Sequence, residues 1–130
     1  MAKFKSLTPI LIVQSVDRAV DFYRDVLGFD VVNRMPQSGR ADWALLRLDD
    51  VEIMLEDEIA VAQDLSEYDV GRIGASVIFY IEVSDVRGLH SRLRERIKLT
   101  RDLHATPYGA NEFTMRDLNG YYLTFSEGSG

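Results

Sequence analysis

Residues 7–29 read LTPILIVQSVDRAVDFYRDVLGF, and this stretch decides the fold. The apolar run TPILIV reads as a strand, with Pro9 tolerated only near its start or at a sheet edge. Ser15 follows as a helix N-cap, Asp17 falls in the favourable first turn, and Gly28 suits the stop. Between them Val16, Ala19, Val20, Tyr23, Val26 and Leu27 recur at helical spacing and give one apolar face. Three strand candidates come next: DVVNRM (30–35), WALLRL (43–48) and VEIMLE (51–56). The Asp49-Asp50 pair turns the chain between the last two.

Seventy positions on, the same order returns. ASVIFYIEVSDV reads as a strand ending in a cap, and Val86, Leu89, Leu93 and Ile97 mark a second helix. IKLTRDL, NEFTMRD and YYLTFSE are three further strands, with Asn119-Gly120 as a hairpin turn between the last two. The offset pairs Val13 with Val83, Ser15 with Asp85, Ile53 with Leu123, and Leu55 with Phe125. The expected architecture is therefore α+β, a tandem pair of βαβββ modules forming an internal repeat. Residues 6–57 make the first module and 75–128 the second. The polar, glycine-ended segment 58–74 reads as the linker.

The chain has 130 residues, of which 46% are hydrophobic, enough for one domain with a substantial core. No apolar run is long enough to span a membrane and none resembles a secretion signal, so a cytoplasmic protein is expected. With no cysteine there is no disulfide scaffold, thiolate metal site or thiol nucleophile. The net charge of −6 argues against a nucleic-acid partner, whose phosphates require Lys and Arg. It is compatible with a cationic small molecule, although negative charge also simply aids solubility.

The segments VDRAVDFYRDVLGF and NEFTMRDLNGYYLTF, set in duplicated modules, resemble the vicinal-oxygen-chelate superfamily, also called the glyoxalase, bleomycin-resistance and extradiol-dioxygenase superfamily. The second is similar to that family's glutamate–phenylalanine ending followed by an aspartate-proline turn. Here Leu118 replaces the proline and Tyr121 the asparagine. Within the superfamily, MAKFKSLTPILIVQSVDRAV and PYGANEFTMRD resemble the bleomycin-resistance proteins, which sequester an antibiotic without chemistry. The resemblance implies curved mixed sheets, each module curling into half a barrel around a cavity. It also implies a homodimer, with an N-terminal arm or completed sheets covering open strand edges.

Superfamily enzymes hold a divalent metal through side chains on the first and last strand of each module. Carried over by position, those places fall on Thr8, Met54, Ile78 and Thr124. Isoleucine has no lone pair, methionine is soft, and neutral threonines are weak donors, so no metal and no other cofactor is expected. His90 on the second helix and His104 in the loop before Thr106 read as surface histidines. Glu52 and Glu56 share a strand face with Met54.

Without a metal, a binding role has the most residues behind it. Trp43, Met54, Tyr80, Tyr108 and Tyr122 are the expected lining, with Glu56 and Glu112 as charge partners. Aromatic walls with a few acids suit a planar cation, and a bleomycin-type antibiotic leads the candidates. The alternative is a metal-independent, lyase- or isomerase-like enzyme with Glu56, Glu82 or Glu112 as general base.

Overall fold

In the computed structural model, which describes residues 2–64, 73–74 and 77–128, the chain divides into two units, Met1–Val70 and Gly71–Gly130. The first unit runs β1 (Ile10–Val13), α1 (Val16–Phe22), β2 (Asp30–Met35), β3 (Trp43–Leu48), β4 (Val51–Asp57) and α2 (Glu58–Asp64). The second runs β5 (Ile78–Glu82), α3 (Val86–Leu93), β6 (Lys98–Ala105), β7 (Ala110–Arg116) and β8 (Tyr122–Gly128). Each has a four-stranded mixed sheet, ordered β1-β4-β3-β2 and β5-β8-β7-β6. The first strand pairs parallel to the last and the remaining pairs are antiparallel. Both units therefore repeat one α+β module.

The caps fix the helices. Ser15 has extended backbone and its hydroxyl accepts from the Arg18 N–H at 3.2 Å, while the Asp85 carboxylate accepts from Gly88 N–H. Two helical stretches differ from the sequence expectation. After α1 the chain continues as one π-helical turn, Tyr23–Leu27, which keeps Tyr23 and Leu27 buried before Gly28 stops it in the left-handed region at φ 91°. Ile97 lies beyond the end of α3, in the turn before β6.

The segment read as a linker holds α2 over its first seven residues. Asp57, buried at the end of β4, accepts from the N–H groups of Ile59 and Ala60 and from Arg40 at 2.7 Å. That carboxylate meets the N–H groups a helix start leaves unsatisfied. The rest of the linker, apart from Ile73 and Gly74, is outside the described residues.

The β7–β8 turn also departs from a two-residue hairpin. Asp117 accepts from the N–H groups of Asn119 and Tyr121, and Gly120 N–H bonds Asp117 C=O at 3.1 Å. Gly120 takes a φ of +90°, which residues with a Cβ adopt only under strain. A buried aspartate organising a longer loop thus replaces the tight Asn-Gly turn.

Period-two alternation sorts each sheet into two faces. In the first unit Leu11, Val13, Ala44, Leu46, Ile53 and Leu55 are buried on one side, where α1 contributes Val16 and Ala19. In the second unit Phe113, Met115, Leu123 and Phe125 do the same, with the His90 ring of α3 set edge-on to Phe113. Among the described residues no helix is long and apolar enough to cross a membrane. The face assignment makes a direct prediction. Leu46→Ala empties a fully buried position and costs about 2–5 kcal/mol of stability, while Leu45→Ala, on the half-buried opposite face, costs less than half as much in the same urea titration.

Candidate functional site

The second sheet brings three of the expected ligand residues together on its face away from α3. Glu112 on β7 is opposite Ser126 on β8, and Tyr80 on β5 is one same-face step from the residue paired with Ser126. Tyr108 reaches the same place from the β6–β7 loop. All three hydroxyls converge on one oxygen of Glu112. Tyr80 OH donates to Glu112 Oε2 in a very short bond, Tyr108 OH donates at 2.6 Å, and Ser126 Oγ–H donates at 3.0 Å. Each hydroxyl has a single proton, so with all three directed at the carboxylate the 2.8 Å approach of Tyr80 and Ser126 is held by their common acceptor.

Glu112 is only 6% exposed and Ser126 2%, whereas Tyr80 is 56% and Tyr108 68% exposed. The two phenol tips are therefore fastened to a buried anion while most of each side chain remains on the surface. Among the described residues no Lys or Arg forms an ion pair with Glu112, and none donates to its other oxygen, Oε1. Burial pushes the carboxyl up, but the hydrogen bonds from Tyr108, Tyr80 and Ser126, with a smaller effect of the His104 imidazole, outweigh it and hold Glu112 below its usual value. Tyr108 is pushed up to about 12, first by its bond to Glu112 and then by burial. A carboxylate held ionised among phenols is a weak base and a strong acceptor.

Further along this face Thr114 and Thr124 bond each other through their hydroxyls at 2.7 Å. Beyond them the Arg116 guanidinium lies 5.5 Å from the centre of the Tyr122 ring. Tyr122 is thus on the expected face but at its other end. Ser126 and Arg116 were not singled out from the sequence; the period-two steps from Thr124 to Ser126 and from Glu112 to Arg116 would have found both.

Trp43, Met54 and Glu56 form a separate group on the first sheet. Trp43 is directly opposite Glu56, and Met54 is opposite Leu45 and beside Ile10, all on the face away from the buried core. A depression of about 440 Å³ in this unit lies between residues 6–8 and the β3–β4 turn, with Arg47, Asp49, Asp50 and Glu52 on its walls. None of the seven expected ligand residues lines it.

The four places that carry metal ligands in the resembled enzymes do not fit a metal. Thr8 precedes β1, Met54 offers only a thioether, and Ile78 is 62% exposed with no donor atom. The Thr124 hydroxyl is engaged with Thr114. Among the described residues no three His, Cys, Asp or Glu side chains gather into a cluster able to hold a cation. The histidines differ from the sequence reading. His90 Nε2 pairs with Asp102 at 2.6 Å and ties α3 to β6, and His104 lies within β6, opposite Glu112, rather than in a loop.

Residues 4–125 match the family model described as the Glyoxalase/Bleomycin resistance protein/Dioxygenase superfamily. Solved structures share the fold. TioX from Micromonospora sp. ML1 is 24% identical, with a TM-score of 0.76 over 95% of this chain and 98% of that one. A glyoxalase/bleomycin resistance protein/dioxygenase from Nocardioides is 19% identical, with a TM-score of 0.81 over 100% and 88%. The bleomycin-binding protein of Streptomyces verticillus, solved with copper(II)-bleomycin, is 24% identical, with a TM-score of 0.66 over 99% and 100%. No curated protein sequence matches the chain.

The shared carboxylate sets the pH dependence. Glu112, with its folded value below the ordinary 4.5, contributes stability that is present above that pH and lost as pH falls through the folded value. Tyr108, raised above the ordinary 10.0, contributes stability that is present below pH 10.0 and lost as pH rises through about 12. An ultraviolet titration of tyrosinate is expected to include a late-ionising phase from Tyr108 that disappears in Tyr108→Phe. In Glu112→Gln it moves back toward the ordinary value, and the acid side of the stability profile flattens.

Proposed function

The chain belongs to the Glyoxalase/Bleomycin resistance protein/Dioxygenase superfamily, and on that premise we propose that it is a metal-free binding protein that sequesters a small, amphipathic, cationic molecule. The observation that carries the reading is the pair of exposed tyrosines, Tyr80 and Tyr108, anchored by their hydroxyls to buried Glu112. Once the hydroxyl is bonded within the protein, the ring is what a phenol has left to offer, and fixing the tip removes the conformational freedom a ligand would otherwise have to freeze. The anion at the hydroxyl tips favours a positive charge near the rings. Oε1 of Glu112 remains as an acceptor for a ligand N–H.

A bleomycin-type antibiotic is the leading specific candidate, supported by the shared fold with the bleomycin-binding protein of Streptomyces verticillus. The chemistry of the Glu112 cluster favours binding over catalysis. A general base works best with a pKa near neutrality, and Glu112 is displaced in the opposite direction. Trp43, Met54 and Glu56 remain proposed as a second contributing surface on the first sheet.

Calorimetric titration with metal-free bleomycin tests this. Binding at about micromolar affinity or tighter, weakening as salt rises, is the expected result. Tyr80→Ala and Tyr108→Ala each reduce the affinity by about tenfold, the worth of one aromatic or cation–π contact. No heat at about a hundred micromolar ligand removes bleomycin as the candidate.

We also propose that the chain is a homodimer, because the N-terminal arm carries Phe4 and Leu7 fully or almost fully exposed and β2 exposes Val31, Val32 and Met35 at a sheet edge. Light scattering is expected to give about twice the 14.8 kDa chain mass, and a monomer mass at micromolar concentration rejects the dimer.

A further inference from the structure

The two modules differ in the partner given to one charged residue. In the first unit Arg47 on β3 is opposite Glu52 on β4, and the two form an ion pair, with Arg47 Nε 2.9 Å from the carboxylate. The equivalent register position in the second unit holds Arg116 opposite Tyr122. An aromatic ring stands where the first unit has the acid. The guanidinium stays in place, 5.5 Å from the ring centre and packed against the turn, where a Cβ on Gly120 would lie 3.2 Å from its terminal nitrogen. Among the described residues no Asp or Glu pairs with it. A guanidinium held by its stem and its face, but not neutralised, keeps its planar fork for an incoming anion.

Arg116 is on the same face of β7 as Glu112, four residues away, a separation of about 13 Å at the rise of an extended strand. Between them are Thr114 and Thr124, short side chains whose hydroxyls bond each other, so no bulky residue of these two strands stands between the ends. Lys98 on β6 is opposite Arg116 and adds a second cation at that end, while Glu112 is the buried anion at the other. The face carries unlike charges at its two ends.

We infer that this face takes an elongated amphoteric ligand, with a planar cationic group on Tyr80 and Tyr108 above Glu112 and a carboxylate or other monoanionic group on Arg116. The inference rests on the proposed cation site at the two tyrosines and adds a second recognition point to it. It assigns Arg116 a specificity role: ligands that carry the anion at the right distance are selected over those that carry only the cation.

The test uses para-amidinophenoxyhexanoic acid, whose amidinium and carboxylate are joined by a ring and a flexible chain, and its methyl ester, which keeps the amidinium alone. Affinities are measured by calorimetry with the full chain. The acid is expected to bind about tenfold more tightly than the ester, the worth of one charge-assisted contact. Arg116→Gln is expected to abolish that preference while leaving ester binding and the late Tyr108 titration unchanged; the unchanged titration verifies that the fold is intact. Equal binding of acid and ester by the unaltered protein, or a preference that survives Arg116→Gln, overturns the amphoteric ligand and leaves the tyrosine site standing. Failure of both compounds to bind overturns the cation site and this inference together.

Discussion

A single buried carboxylate fixes the chemistry of the second sheet. Glu112 has lost most of its contact with water, and an ionised carboxylate in that position needs donors from the protein. They come from three separate places in the chain: Tyr80 on β5, Tyr108 on the β6–β7 loop and Ser126 on β8. Because all three are neutral, they solvate the charge without cancelling it. The site keeps its negative potential and gains rigidity, a combination that a salt bridge to Lys or Arg would not give. The same bonds draw the Tyr108 loop onto the sheet, so an exposed aromatic that would otherwise sample many rotamers is held in one place.

The two modules differ on the face away from the core. Positions that face the same way in the two sheets carry opposite solutions. In the first, an arginine is neutralised by a glutamate across the strand pair, and Trp43 is opposite Glu56. In the second, the register equivalents of Trp43 and Glu56 are Glu112 and Ser126, which shifts the acid by one strand and places it beside the hydroxyls. The backbone pairing is preserved throughout, since it depends on main-chain hydrogen bonds and on the buried face. The face away from the core is free to differ because little packing depends on it. Selection for a fold therefore acts on Leu46, Leu55, Phe113 and Met115, and any selection for a ligand acts on their alternate neighbours.

That division also explains how much was legible in the sequence. The strands of both modules and the two capped helices follow from local rules: period-two alternation, Ser15 and Asp85 as caps, Gly28 as the stop. α2 was missed because its start depends on a tertiary arrangement, the buried Asp57 carboxylate held by Arg40 from another part of the chain, and a polar composition hides this. Of the candidate site, Tyr80, Tyr108 and Glu112 were named individually, but nothing local says that three side chains from different elements share one oxygen. Ser126 is a short polar residue in a strand and carries no signal of its own. Arg116 is conspicuous only beside Arg47, and that comparison requires the register. The hairpin turns differ in length between the modules, so the offset of seventy that aligns β4 with β8 becomes sixty-nine between β3 and β7, and a fixed offset sets Arg116 against the wrong residue.

The arrangement carries a stability consequence of its own. Three hydroxyls around one anion are stabilising only while the anion is present, because a neutral carboxyl needs an acceptor for its own proton and offers a weaker acceptor to the phenols. Protonation of Glu112 therefore weakens the hold on the Tyr108 loop and on the Tyr80 ring alike. On the proposed reading, a ligand cation over those rings favours the ionised state and reinforces the same three bonds. Because Glu112 is held below its ordinary value, the three bonds and the order they impose persist down to acidic pH.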